Sequence, residues 1–168
     1  MALYHFSVRH VSRGKGQMVV ASAAYISGQR IFDSYYNKIH DYTSKSGVIF
    51  TEILTPEYVP ERLTDRETLW NEVEHVERNN KAQLAYSFDI ALQNELTLEE
   101  NIRLAKEFCQ EQFVARGMIV DLAIHEGKSD NEEEPDNPHF HVLVPIRPFT
   151  EEGIWGNKQR REYILDED

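Results

Sequence analysis

Hydrophobic and polar residues alternate along four stretches of the chain, which is the pattern of strands that bury one face. The alternating stretches are residues 3–9, 83–92, 118–126 and 137–146. A fifth strand is predicted at 47–54, where the run GVIFTEIL is closed by Pro56. Because successive side chains on a strand point to opposite faces, each alternating stretch should place one face in the core.

Three helices are expected between these strands. The segment VVASAAYISGQRI, residues 19–31, is rich in small residues and should form a helix that ends near Gly28. Two capping boxes predict where the other helices begin: Thr64 with Glu67, and Thr97 with Glu100. Those helices should end at about Asn79 and at Gly117.

Five strands with three interleaved helices predict an α+β fold in one domain of 168 residues. We expect one mostly antiparallel sheet of about five strands, with the helices packed on one face. Apolar positions that would face the helices include Tyr4, Phe6, Val8, Tyr86, Phe88, Ile90, Val120, Leu122, Ile124, Phe140, Val142 and Val144. The opposite face would carry His5, Ser7, Arg9, Ser87, Asp89, Asp121, His125, His139 and His141. Polar residues in phase on four strands favour an open functional face.

Three histidines on that polar face predict a divalent-metal site. His139 and His141 share a face because they are two residues apart on one strand. His125 ends the preceding strand and should lie opposite His139 if the two strands form a hairpin. Three neutral imidazoles are a metal-ligand set that leaves positions open for substrate or water, and they suit Zn, Mn, Fe, Cu or Ni. Asp89 is either a partner for a histidine N–H or a solvent-facing strand residue.

Charge is distributed unevenly along the sequence. The formal net charge of −11 argues against uniform coating by nucleic acid. Residues 1–50, however, carry six Lys/Arg against two Asp/Glu. The cluster RHVSRGK, residues 9–15, is therefore either a local anion-binding patch or a solvated surface.

Cysteine content and hydropathy indicate a cytoplasmic protein without membrane insertion. A single cysteine, Cys109, excludes an internal disulfide and falls on the apolar face of a predicted helix. No apolar run is long enough to span a bilayer, and the N-terminus lacks the layout of a signal peptide.

A series of blocks along the chain resembles the MobA/MobL type of plasmid mobilisation relaxase, in the HUH endonuclease superfamily (His, a hydrophobic residue, His). The blocks are ALYHFSVRHVSRGKGQ, SAAYISGQR, HDYTSKSGV, LWNEVEHVE, AQLAYSFDIAL, EFCQEQFVARGMIVDLAIHEG, NPHFHVLVPIRP and GIWGNK. They occur in the family's order over nearly the whole chain. The resemblance also implies that the chain is the N-terminal relaxase domain of a longer protein.

The resemblance implies a reaction and roles for individual residues. Tyr25 would be the nucleophile that nicks single-stranded DNA at a plasmid transfer origin and forms a 5′-phosphotyrosine, with Tyr35, Tyr36 and Tyr42 as the alternatives in a nearby polar segment. His125, His139 and His141 would hold the metal, with Mn or Mg expected first and Zn, Ni or Co as alternatives. Asp89 would be a catalytic carboxylate that assists Tyr25. Two positions depart from the family: Ser87 where relatives often have an acid, and Ile26 where they often have arginine.

DNA-binding residues and partners complete the expectations. The residues that could neutralise backbone phosphates are Arg9, Arg13, Lys15 and Arg147. The resemblance implies accessory mobilisation proteins and a type IV secretion coupling protein as partners, with export of the protein on its DNA. Three alternatives remain open: a rolling-circle replication initiator, a metal hydrolase or oxygenase, and a non-catalytic metal-stabilised DNA-binding module.

Overall fold

A central five-stranded antiparallel sheet organises the computed structural model, which describes residues 4–158. Its strands are β1 Phe6–Ser12, β4 Val48–Leu54, β5 Gln83–Ala91, β6 Val120–His125 and β7 His139–Pro145. They lie in the order β1-β5-β7-β6-β4. The helices are α1 Val19–Ser27, α2 Arg66–Val76 and α3 Leu98–Gln112. The predicted α+β fold is confirmed.

The sheet's register is set by the strands at its centre. β7 pairs with β5 on one side and with β6 on the other. In the β6–β7 pair, His125 lies opposite His139 and Ala123 lies opposite His141. The predicted hairpin around the acidic loop is thus present, and it places the three histidines on one face.

Helix α3 covers the face of the sheet opposite the histidines. Ala105 and Cys109 of α3 are fully buried in a cluster with Leu122 and Val142 of the sheet. The predicted cap at Thr97 is confirmed, because its side chain accepts from the Glu100 N–H and the Glu100 carboxylate accepts from the Thr97 N–H. Cys109 is a core residue as expected, and burial raises the pKa of its thiol to about 12.

Helices α1 and α2 pack against the other face, so the helices are not all on one side as the alternation had suggested. Ala123 and Leu143, which point to the histidine face, cluster with residues of α1 and α2. Asp121 was expected on an open face, but α2 covers it completely. Its carboxylate accepts hydrogen bonds from Arg66 at 2.8 Å and from the Trp70 indole at 2.8 Å. The open part of this face is therefore confined to the end that carries the histidines.

Strand β1 forms one edge of the sheet, and two of its apolar side chains are more exposed than predicted. Phe6 and Val8 are 45% and 46% exposed, although their parity directs them to the α3 side. Helix α3 lies over β4 and β6, at the other side of the sheet, and leaves this edge uncovered.

The N-cap of helix α2 lies one residue later than predicted. Asp65 is the N-cap, and its carboxylate accepts hydrogen bonds from the backbone N–H and hydroxyl of Thr68. The Thr64 hydroxyl instead donates to the carbonyl of Glu61. Aspartate is a better N-cap than threonine, which agrees with the use of Asp65 here. None of the helices within residues 4–158 is long and apolar enough to cross a membrane.

A second, two-stranded sheet was not predicted. Strands β2 (Arg30–Asp33) and β3 (Lys38–Asp41) form a hairpin beside α1 and α2. Its inward positions include Asp33 and His40, which are buried and lie 3.1 Å apart through Oδ2 and Nε2. Because a hydrogen-bonded polar pair fills these inward positions, the hydrophobic alternation of a strand is missing there.

Candidate metal and nucleophile site

The three histidines converge at the open end of the sheet. One ring nitrogen from each of His125, His139 and His141 lies within 4.8 Å of the others. The ring centroids are 4.5 to 5.2 Å apart. Apart from this trio, no group of three potential ligands of this kind occurs in residues 4–158.

Backbone carbonyls orient two of the rings. Nε2 of His125 lies 2.8 Å from the carbonyl oxygen of Ile26, and Nδ1 of His139 lies 2.9 Å from that of Asn137. A carbonyl oxygen only accepts, so each of these nitrogens carries the proton. The other nitrogen of each ring keeps its lone pair, which is the state that a metal ligand requires. The donor set therefore fits a divalent transition metal.

Burial keeps two of the imidazoles neutral. Desolvation lowers the pKa of His141 from its ordinary 6.5 to about 4, with further lowering by the neighbouring His125. Desolvation also lowers the pKa of His125. Both rings thus offer lone pairs at neutral pH.

Asp89 adjoins the histidines on the neighbouring strand. It pairs with His141 of β7 on one side and with Ser7 of β1 on the other, so its side chain shares their face. Its Oδ1 is buried and has no hydrogen-bond partner among residues 4–158, whereas Oδ2 lies 3.9 Å from Nε2 of His5. A buried, unpartnered carboxylate oxygen beside an imidazole is suited to accept a hydrogen bond or to support a cation.

Tyr25 projects from α1 into a cleft that His141 also lines. Helix α1 is held on the sheet by its small and branched residues, which are Val19, Val20, Ala23, Ala24 and Ser27. Tyr25 lies on the other side of the helix and is 50% exposed. The cleft has a volume of about 350 Å³, and Arg9 and Ser87 also line it. The structure thus brings the predicted nucleophile, one predicted ligand and one predicted DNA contact into the same space.

Two residues contact Tyr25: Tyr42, which was expected near the site as an alternative nucleophile and also lines the cleft, and Lys45, which was not predicted. The Tyr42 ring meets the Tyr25 ring edge-on, with centroids 5.3 Å apart. The Lys45 ammonium lies 3.4 Å from the centroid of the Tyr25 ring. A basic residue in the polar segment TSKSG was a weak sequence signal, because nothing in its spacing links it to Tyr25.

The predicted basic patch divides into two groups. Arg9 lines the cleft and Lys15 is exposed, so both remain available to phosphates. Arg13 is buried, and its five N–H groups donate to Glu74 and to the carbonyls of Glu74, Glu77 and Asn79. No N–H remains for DNA, so Arg13 ties the β1 end to α2.

Arg147 lies far from the histidines. It follows the end of β7, six residues beyond His141, which corresponds to roughly 20 Å along a strand. Its guanidinium pairs with the Glu77 carboxylate and donates to the carbonyl of Gly156 at 3.1 Å. This position separates Arg147 from the candidate site.

Comparison with known proteins gives concordant results. The chain is 36% identical over 168 residues to the conjugal transfer protein TraA of Agrobacterium fabrum, covering 94% of this chain and 15% of that protein. It is also 36% identical over 169 residues to a probable mobilization protein MobA of Bifidobacterium longum, covering 99% of this chain and 29% of that protein. The chain thus spans a minor part of the length of these relatives.

A solved structure shares the fold over almost the whole chain. That structure, described as "Molecular Basis of Vancomycin Resistance Transfer in Staphylococcus aureus", is 38% identical and superposes with a TM-score of 0.84, covering 98% of this chain and 81% of the other. The sequence profile of the MobA/MobL family matches residues 17–168, which include Tyr25 and all three histidines. The chain therefore belongs to the MobA/MobL family.

Proposed function

We propose that this chain is a metal-dependent relaxase that nicks single-stranded DNA at a plasmid transfer origin for conjugative mobilisation. The observation that carries the proposal is the shared cleft, in which an exposed tyrosine faces the same space as one of three clustered histidines. The names of its relatives, which refer to conjugal transfer and mobilization, agree with this role.

The proposed reaction is a transesterification. The phenolic oxygen of Tyr25 attacks a backbone phosphorus, a new P–O bond forms, and the bond from phosphorus to the 3′-oxygen breaks. The phenol loses one proton and the departing 3′-oxygen gains one. The products are a 5′-phosphotyrosine and a free 3′-hydroxyl. One phosphodiester replaces another, so the strand can later be resealed by the reverse reaction.

The histidines would hold the ion on which this reaction depends. His125, His139 and His141 would be its ligands, and a divalent cation bound there would supply charge that polarises the non-bridging phosphate oxygens. Family membership points first to Mn or Mg, while imidazole donors also suit Zn, Ni or Co. Asp89 would accept from an imidazole N–H or support the cation through its unpartnered Oδ1.

Positive side chains at the cleft would bind the backbone of the strand. Arg9 lies within the cleft, and Lys15 follows the end of the same strand on an exposed turn. Contacts of this kind set the register of the DNA and depend on salt. In this proposal the DNA-bound protein then binds accessory mobilisation proteins and a type IV secretion coupling protein.

Covalent capture tests the proposal. The protein is incubated with a set of single-stranded oligonucleotides from transfer origins, with Mn²⁺ or Mg²⁺, and resolved by denaturing electrophoresis. We expect a covalent adduct to form with the metal present. No adduct should form when a chelator is added before the DNA. Cleavage without an adduct would indicate a metal hydrolase, and binding without cleavage would indicate a non-catalytic module. An adduct on replication-origin DNA alone would indicate a rolling-circle initiator.

A further inference from the structure

Lys45 reaches the candidate nucleophile from a turn 20 residues further along the chain. Its Nζ lies 3.4 Å from the centroid of the Tyr25 ring and donates to the backbone carbonyl of Tyr25 at 3.1 Å. The ammonium therefore touches both the ring and the backbone of the same residue. A cation over an aromatic face is attracted by the ring quadrupole, and the attraction is stronger where water is partly excluded.

The turn that carries Lys45 is fixed by its own hydrogen bonds. The carboxylate of Asp41 accepts from the Thr43 N–H at 3.0 Å and from its hydroxyl at 2.6 Å. The Lys45 N–H donates to the carbonyl of Tyr42 at 3.0 Å, and the Tyr42 N–H donates to Gln29 just beyond α1. The turn is thus attached to the end of the helix that bears Tyr25.

No carboxylate neutralises Lys45. In residues 4–158 no ion pair within 4.0 Å includes it, although many other lysines and arginines have acidic partners. The Lys45 side chain is half-buried. Ile26, next to Tyr25, is buried and supplies no charge there.

We infer that Lys45 is a positioning residue that holds the Tyr25 ring in the orientation from which its hydroxyl enters the cleft. The Tyr42 ring lies at 88° to the Tyr25 ring with centroids 5.3 Å apart, whereas the Lys45 ammonium lies over the face of the Tyr25 ring. A tyrosine that is half exposed and unrestrained would sample several rotamers, and holding it reduces the entropy lost when it reaches the phosphate. The consequence for catalysis rests on the proposed function, whereas the contact itself does not.

The contact is tested first without DNA or metal. Protein labelled with 3-fluorotyrosine is examined by ¹⁹F NMR, and Tyr25→Phe identifies the Tyr25 resonance by its loss. Lys45→Met, which keeps a long unbranched side chain but removes the charge, should move that resonance. Lys38→Met, which removes an exposed lysine from β3, should leave it in place. An unmoved Tyr25 resonance in Lys45→Met overturns the inference.

The role in positioning is tested by separating rate from affinity. At saturating oligonucleotide and metal, Lys45→Met should lower the single-turnover rate of adduct formation by about 10-fold or more, and Lys45→Arg should restore it to within about 3-fold. Affinity, measured on the Tyr25→Phe background, should change by less than about 3-fold. The positioning role of Lys45 is overturned if the rate of adduct formation does not fall in Lys45→Met. It is also overturned if a loss of DNA affinity accounts for the lower rate.

The two proposals can fail separately. If wild-type protein forms no adduct but Lys45→Met still moves the Tyr25 resonance, the proposed function fails and the positioning contact stands. If adduct forms at the wild-type rate in Lys45→Met, the proposed function stands and the positioning role fails.

Discussion

Nε2 of His125 lies 2.8 Å from the carbonyl oxygen of Ile26, the residue that directly follows Tyr25. This hydrogen bond joins a candidate metal ligand on β6 to the helix that carries the candidate nucleophile, across 99 residues of sequence. Partners of this type set the orientation and tautomer of a ligating histidine. The position of α1 on the sheet and the geometry of the three imidazoles are therefore coupled.

The histidine cluster should bind a divalent cation in a defined ratio. Replacing His139 and His141 together with alanine removes two of three imidazole donors, and titration calorimetry with Mn²⁺ should show loss of the one-to-one binding of wild-type protein. Both residues are partly exposed at the sheet end, so the variant should stay folded. His75→Ala, on α2, is the matched control. Unchanged affinity in the folded double variant would rule out this site.

Partial burial of His141 should make the metal-free protein less stable in mild acid. Its pKa is about 4 in the folded chain and near 6.5 when unfolded, so only the unfolded state gains this proton as the pH falls below 6.5. Between pH 7 and 5 this contribution lowers the unfolding free energy by roughly 2 kcal/mol. Urea denaturation with chelator should show a smaller pH dependence in His141→Gln. An equal pH dependence of the unfolding free energy in the wild-type protein and in His141→Gln would contradict the burial of His141.

Arg13 should be required for stability. Arg13→Met leaves the Glu74 carboxylate buried without its partner, and removing one member of a buried pair costs about 3–5 kcal/mol. Lys15→Met, in the same short turn but exposed, should change stability by less than about 0.5 kcal/mol. Urea denaturation distinguishes the two variants. A fully stable Arg13→Met protein would show that the ion pair has no structural role.

Arg9 should contact the phosphates of single-stranded DNA. On the Tyr25→Phe background, Arg9→Ala should reduce the slope of log affinity against log salt by about 0.7, the value for one phosphate contact on a single strand. Arg103→Ala, an exposed residue of α3 on the other side of the sheet, should leave the slope unchanged. Equal slopes for Arg9→Ala and the parent would exclude a contact at this residue.

The sequence predicted those parts of the site that depend on local periodicity. Side chains on a strand repeat every two residues, so His139 and His141 had to share a face, and the hairpin placed His125 beside them. The same alternation marked four of the five central strands, whereas the fifth was recognised as an apolar run and the helices by capping boxes and small residues. Tyr25 was identified by family resemblance, since eight tyrosines were available.

Contacts between distant segments were not predictable in this way. Arg13 looked like a free basic residue because its partner Glu74 is 61 residues away. Lys45 showed no spacing that relates it to Tyr25. The β2–β3 hairpin was missed because Asp33 and His40 occupy its inward positions. In each of these cases a polar side chain has its partner on another element, which no local pattern reveals.

The most direct test of the account maps the covalent link to a residue. Wild-type protein, Tyr25→Phe and Tyr42→Phe are each incubated with metal and an oligonucleotide that spans the nick site, then analysed by denaturing electrophoresis and peptide mass spectrometry. Tyr25→Phe keeps the ring but lacks the attacking oxygen, so it should bind metal and DNA and form no adduct. Tyr42→Phe keeps the edge-on ring and should form the adduct on Tyr25. DNA attached to Tyr42, Tyr35 or Tyr36, or a normal adduct yield from Tyr25→Phe, would contradict the assignment of the nucleophile.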